Sequence, residues 1–168
     1  YLFCGKGYRS DEAAQEFAAA QLGYTRIQLQ TIPQLDEAGN PVINAVSGWE
    51  DSFFYDIDLA LSIIRHPSND TPGLIAYCPE AFTEESRQLL LEVTGEGKEI
   101  EAIHVTLKEA EEALACNLVS SGEAVVMGGG APLLRAALEA RGLTIHTPHI
   151  QELVKGGGYI RCTTLTID

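Results

Sequence analysis

Short apolar runs alternate with amphipathic stretches from one end of the chain to the other. Residues 1–4 form an apolar run that predicts a strand, and Gly5-Lys6-Gly7 predicts a turn after it. Ser10 is placed to cap a helix over 11–21, whose first turn is acidic and which Gly23 ends. Alternation of Ile27 and Leu29 predicts a half-buried strand over 25–31. The stretch 32–51 holds Pro33, Gly39, Asn40, Pro41 and Gly48 and predicts a long loop, of the length usually kept for function or for a lid. Aromatic and β-branched residues predict a strand over 52–65, long enough to bend, and then a turn over 66–73.

The second half repeats this grammar. A strand is expected at 74–78, a Thr83-capped helix at 84–93, a strand at 99–106 and a helix at 107–115. Residues 117–120 and 124–127 read as a hairpin around Ser121-Gly122. Gly128 to Gly130 lead into a helix over 132–140 with proline in its first turn. A strand at 143–146, a helical turn at 150–154 and a final strand at 159–167 complete the pattern. Strands and helices alternate throughout, so the fold class is α/β, and the recurring order strand, helix, strand, strand hints at repeated modules. No boundary divides the chain, so 1–168 is taken as a single domain.

The chain has 168 residues, 45% of them apolar and 21% charged, which suits a globular domain with a core of its own. A formal net charge of −13 opposes binding to nucleic acid or to an anionic membrane surface, and suits a cationic small ligand. The apolar runs are far shorter than a bilayer span. Cys4, Cys78, Cys116 and Cys162 are scattered, with no CxxC pair and no metal-ligand spacing to a histidine, so no metal site is expected. They read as reduced thiols in a cytoplasmic protein, and no secretory signal precedes the first strand.

Two glycine turns mimic nucleotide loops. Gly5-Lys6-Gly7 is followed by Ser10 where a dinucleotide fingerprint needs a third glycine, and Gln28 and Gln30 stand where it needs an acid for the ribose. Gly128-Gly129-Gly130 lacks the Lys-Ser/Thr of a P-loop. A nucleotide-binding α/β domain is therefore a rival reading with little behind it. The segment Lys155-Gly156-Gly157-Gly158-Tyr159-Ile160-Arg161-Cys162-Thr163-Thr164-Leu165 carries more, because glycines allow a substrate or another backbone to approach closely. On local chemistry alone, a free cysteine such as Cys162 is more often a small buried hydrophobe.

This segment is similar to the terminal nucleophile motif of the guanidine-modifying enzymes, the dimethylargininases and amidinotransferase-like proteins. The resemblance continues upstream in order: Leu2 to Ser10 with its Gly-Tyr-Arg-Ser turn, Phe54-Tyr55-Asp56-Ile57-Asp58, Tyr77-Cys78-Pro79-Glu80-Ala81-Phe82, and Ala115-Cys116-Asn117 followed by Ser120, Val125 and Met127. It covers nearly the whole chain. It implies an α/β propeller of the pentein type, with about three of its five modules in this sequence and the N-terminal modules missing. It implies hydrolysis or amidino transfer at the guanidino group of arginine or a relative, through a covalent adduct on a cysteine thiolate and without metal or organic cofactor.

By the same resemblance Cys162 is the nucleophile, Arg9 binds the substrate carboxylate and Asp58 binds the guanidinium. Asn117 falls at a position read as structural, and Cys116 at one read as core packing. The resemblance puts a general acid/base histidine two residues before Asp58, and this chain has Asp56 there. His66, His104, His146 and His149 fall elsewhere. On a strand Asp56 and Asp58 would share a face, so that repulsion raises the pKa of one of them. The alternative is a catalytically inactive relative that binds a ligand or a partner chain. The expected partners are an arginine-like small molecule and, for a partial propeller, either further copies of the chain or the missing modules.

Overall fold

The computed structural model describes residues 1–7, 10–156 and 158–165. It is a mixed α/β structure built around three small sheets. Strand β1 (Leu2–Gly5) runs parallel to β2 (Arg26–Leu29), joined by helix α1 (Glu12–Leu22). The second sheet has the order β3 (Leu61–Arg65), β4 (Gly73–Tyr77), β5 (Ile100–His104). Its first pair is antiparallel and its second parallel, with helix α2 (Glu84–Val93) in the crossover. After helix α3 (Leu107–Ala113) the third sheet repeats that plan. In it β6 (Val119–Ser120) is antiparallel to β7 (Ala124–Val126), and β7 is parallel to β8 (Thr144–His146) across helix α4 (Pro132–Glu139). A short helix α5 (Gln151–Val154) leads to the C-terminal turn. The recurring order in the sequence is thus a repeated unit, an antiparallel strand followed by β-α-β, complete in the second and third sheets.

One core runs through all three sheets. Strand β4 is buried at all five positions, because β3 and β5 flank it and packed elements cover both faces. This explains its unbroken apolar run. Tyr77, Phe82, Leu29, Leu90, Met127, Leu134 and Leu138 are among the largest fully buried side chains and come from all parts of the chain. Helix α1 starts one residue later than its sequence predicts: Asp11 rather than Ser10 is the cap, accepting from Ala14 N at 3.1 Å. Thr83 caps α2 as expected.

Two segments expected to be strands are turns. In 52–65 the chain bends at a 3-10 turn, Ile57–Leu59, and only Leu61–Arg65 is extended. Leu59 N bonds Asp56 O at 3.1 Å and Ala60 N bonds Ile57 O at 2.9 Å, so two aspartates within three residues favour the turn over strand pairing. In the final segment a 3-10 turn, Arg161–Thr163, replaces the strand. Thr163 Oγ1 donates to the carbonyls of Tyr159 and Ile160, and Thr164 Oγ1 to that of Ile160. Hydroxyls that return to the carbonyls three and four residues back compete directly with a ladder. Residues 166–168, the last of the expected strand, lie outside those described.

Helix α4 is capped from a distance. Its N-cap, Ala131, offers no side-chain acceptor. Instead the buried Glu109 of α3 accepts from Leu133 N at 2.7 Å and Leu134 N at 3.0 Å. A carboxylate at a helix N-terminus satisfies two free N–H groups and complements the helix dipole. Glu109→Ala should lower stability by about 1.5–3 kcal/mol in urea unfolding, because both bonds are to a charged group. Glu109→Gln, which keeps one acceptor oxygen, should cost less.

Candidate active site

Three segments far apart in sequence meet at one point. The 3-10 turn after residue 56 supplies Asp58, the start of the third sheet supplies Asn117, and the C-terminal turn supplies Cys162. Asn117 Nδ2 donates to Asp58 Oδ2 at 3.0 Å and to Cys162 Sγ at 3.2 Å, and Sγ lies 3.7 Å from the same Asp58 oxygen. On its other side Asn117 Oδ1 accepts from Arg161 N at 3.0 Å. That backbone N–H can only donate, which fixes the orientation of the amide: its N–H groups face the carboxylate and the sulfur.

Cys162 is exposed, whereas Cys4, Cys78 and Cys116 are buried. Burial raises the thiol pKa of Cys78 to about 11, and burial followed by the neighbouring Cys78 raises that of Cys116 further still. Cys116 is a core residue, as expected. The glycine preceding the nucleophile turn has a clear steric reason. A Cβ on Gly158 would fall 2.7 Å from Cys162 Cβ and 3.2 Å from its Sγ. One on Gly128 would fall 2.7 Å from Ala113 O and 2.9 Å from the ring of Tyr159, which is itself buried beside the turn. The close approach foreseen for the glycine-rich stretch is therefore made by Cys162 itself.

Asp58 has a raised pKa. Burial is the first cause that lifts its pKa, and the charge of Asp56 the second; the bonds to Cys162 and Asn117 and the charge of Arg161 pull the other way. Its Oδ1 is buried and has no hydrogen-bond partner among the described residues. Asp56 and Asp58 do not share a strand face, because Asp56 stands at the N-cap of the turn that contains Asp58. They still line one cavity of about 230 Å³ together with Gly5, Lys6, Gly7, Ser10, Thr31, Phe54, Tyr55 and Ile57. Arg9 lies outside the described residues, between Gly7 and Ser10 of that lining. The loop over 32–51 is tied by its own side chains: Asp36 Oδ1 accepts from Ala38 N and Asn40 N, and Asn44 Oδ1 from Val46 N and Ser47 N. Its Ile43, Trp49 and Glu50 border a wider cleft of about 800 Å³ that shares Lys6, Gly7 and Ser10 with the first.

Among the described residues no group of three or more His, Cys, Asp or Glu is placed to hold a metal ion, and no helix is long and apolar enough to cross a membrane. The residue whose part sequence reasoning understated is Asn117. Its place in the Ala-Cys-Asn run marked the position, and its two side-chain partners, Asp58 and Cys162, lie too far away in sequence for that run to reveal them.

An exposed thiol is thus held against a partly buried carboxylate that lines a small cavity, and Cys162 itself is not among the residues lining that cavity. The comparisons point the same way as the resemblance read from the sequence: the chain is similar in sequence to a dimethylarginine dimethylaminohydrolase and similar in fold to arginine dihydrolases. No family model matches the chain. The N(G),N(G)-dimethylarginine dimethylaminohydrolase of Mycobacterium tuberculosis is 29% identical over 166 residues, covering 99% of this chain and 45% of that protein. The bifunctional arginine dihydrolase/ornithine cyclodeaminase AgrE of a Nostoc species is 24% identical, over 99% of this chain and 20% of its own length. The crystal structure of AgrE with ornithine and NAD+ superposes with a TM-score of 0.74 at 24% identity, over 97% of this chain and 20% of that one. The N-terminal domain of ArgZ, a cyanobacterial arginine dihydrolase, bound to product, gives 0.70 at 22% identity, over 97% and 50%. A further structure of that domain holds a covalently bound reaction intermediate. The chain thus spans less than half the length of the curated relatives it matches.

The raised pKa of Asp58 has a consequence for stability. The folded state binds that proton more tightly than the unfolded state, whose value is near 3.8. The resulting stabilisation is full below the unfolded pKa and is lost as pH rises through the folded one. Asp58→Asn should therefore raise the melting temperature at pH 7, and the gain should shrink towards pH 4, measured by thermal unfolding at both values.

Proposed function

We propose that this site hydrolyses, or transfers the amidino group from, the guanidino group of arginine or an arginine derivative. The observation that carries this reading is the exposed thiol of Cys162 in contact with Asp58 Oδ2, while the other oxygen of that carboxylate, Oδ1, is buried with no partner among the described residues. A carboxylate kept short of a partner at a cavity wall calls for a cation, and a planar guanidinium suits it. The wall carries a second carboxylate, Asp56, and the chain as a whole is strongly acidic.

In this reading Asp58 Oδ1 binds the guanidinium and sets its central carbon next to Sγ. The sulfur attacks that carbon and a C–S bond forms. The positive charge of the guanidinium disappears as the carbon becomes tetrahedral, so Asp58 loses its counter-ion at the moment Sγ loses its proton. Asp58 Oδ2, already in contact with Sγ, is the acceptor. Its raised pKa, which burial and Asp56 both favour, suits that role. The proton then goes to the departing nitrogen, which leaves as ammonia or an amine, and an amidino-thioether remains. Water or an amine attacks it, the C–S bond breaks and the thiol is restored. Asp56, where the resemblance implies a histidine, is assigned to the same proton traffic, and Arg9 to the substrate carboxylate.

The three sheets are read as three modules of a five-module propeller and residues 1–168 as part of one such domain. Further modules or another copy of the chain would complete the ring. The repeated antiparallel-then-parallel sheet plan supports this reading, as does the partial coverage of the relatives.

The test is labelling with 2-chloroacetamidine, a guanidinium-shaped alkylating agent, followed by peptide mass mapping. A single adduct at Cys162, slowed by arginine and absent in Cys162→Ser, is expected, with the buried Cys4, Cys78 and Cys116 unlabelled. Labelling of Cys162 that is no faster than by chloroacetamide and is indifferent to arginine would overturn the reading.

A further inference from the structure

We infer that Asn117 is a positioning residue for this chemistry: its side-chain amide sets the separation of Cys162 Sγ from Asp58 Oδ2 and supplies the N–H that stabilises the sulfur once its proton has gone. The inference rests on the proposed thiol chemistry at Cys162 and adds a residue whose part in it is indirect.

Asn117 is fully buried. A buried amide is costly unless its donors and acceptor are used. Here the two N–H groups of Nδ2 go to Asp58 and Cys162, and Oδ1 takes the Arg161 N–H. No donor is left for a substrate, so Asn117 orients other groups and does not bind a ligand. The Arg161 bond is the second anchor. It holds the backbone next to Cys162, so the sulfur and the carboxylate are both referred to one rigid amide.

The backbone that delivers Asn117 is itself unusual. Helix α3 ends in Leu114 at φ 48°, the one non-glycine positive φ among the described residues, and Asn117 N closes the turn on Leu114 O at 2.9 Å. A leucine in the left-handed region is strained and persists only where the surroundings over-determine it, and such residues gather at functional sites. The turn sends Ala115, Cys116 and Asn117 into the interior, all three with no exposed surface.

The electrostatics give the amide its purpose. Sγ stands beside Asp58, and Asp56 adds its charge to Asp58. The Asp58 carboxylate in contact with Sγ opposes a second negative charge on sulfur. The Nδ2–H of Asn117 opposes that penalty at 3.2 Å, and the same residue ties down the nearer carboxylate. Asn117→Asp keeps the shape and an oxygen for the Arg161 N–H but abolishes both donors.

The experiment is the pH–rate profile of iodoacetamide alkylation at Cys162 in the full chain, with thermal unfolding as the folding control. Asn117→Asp should displace the profile to higher pH and slow alkylation at pH 7 about tenfold or more, the scale of a lost hydrogen bond to a charged group. The exchange Asp58→Asn with Asn117→Asp restores one amide and one carboxylate to the pair and should recover much of the rate. If Asn117→Asp does not fold, Asn117→Ser, too short to reach both partners, should displace the profile in the same direction. A folded Asn117 variant with the profile of the unaltered protein would overturn the inference, as would loss of thermal stability with no displacement. Amidine-selective labelling is a separate readout: if arginine gives no protection while the Asn117 profile moves, the guanidine reading fails and the positioning role stands.

Discussion

The hydrogen bonds of one buried amide hold the site together. Cys162 and Asp58 are separated by 104 positions in the chain, and Asn117 reaches each of them and the Arg161 backbone at once. Each of the three residues comes from a short, irregular turn: after Asp56, after Leu114, and after Ile160. The sheets and helices supply the rigid frame, with β4 buried throughout and α4 capped by Glu109 from the neighbouring helix. The chemistry sits where that frame gives way to turns.

The same cluster combines an electrostatic cost with a capacity to bind. Asp58 is partly buried beside another carboxylate, which raises its pKa and costs the folded state stability at neutral pH. One of its oxygens is satisfied by Asn117 and the other is left without a partner among the described residues. A guanidinium would relieve both conditions. Local destabilisation of this kind is expected where a site is shaped for a ligand and not for the free fold.

Most of the fold was legible in the sequence, because its elements follow rules of short range. Thr83 and Gly23 set helix boundaries through capping and the left-handed φ of glycine, and the hairpin around Ser121-Gly122 follows from its turn residues. Apart from the shift of the α1 cap by one residue, the two departures were strands that became turns. In each, the apolar pattern favoured extension, and local hydrogen bonding, by the Asp56 carbonyl in one and by Thr163 and Thr164 in the other, took the backbone instead. Cys162, Asp56 and Asp58 were singled out through the ordered resemblance, and in the structure Cys162 meets Asp58 while Asp56 lines a cavity with Asp58. The contact between Cys162 and Asp58 could not, since it depends on tertiary packing across most of the chain. Asn117 was seen but read as structural, because its role depends on two partners that no local pattern reveals.

The most direct measurement is the affinity of the full chain for arginine by isothermal titration calorimetry, compared with that of Asp58→Asn. If the unpartnered oxygen of Asp58 is the guanidinium acceptor, arginine binds the unaltered protein, and the substitution weakens binding by about ten- to one-hundredfold, as loss of a charged hydrogen bond requires. Equal affinity in the two proteins, with both folded, would contradict the account.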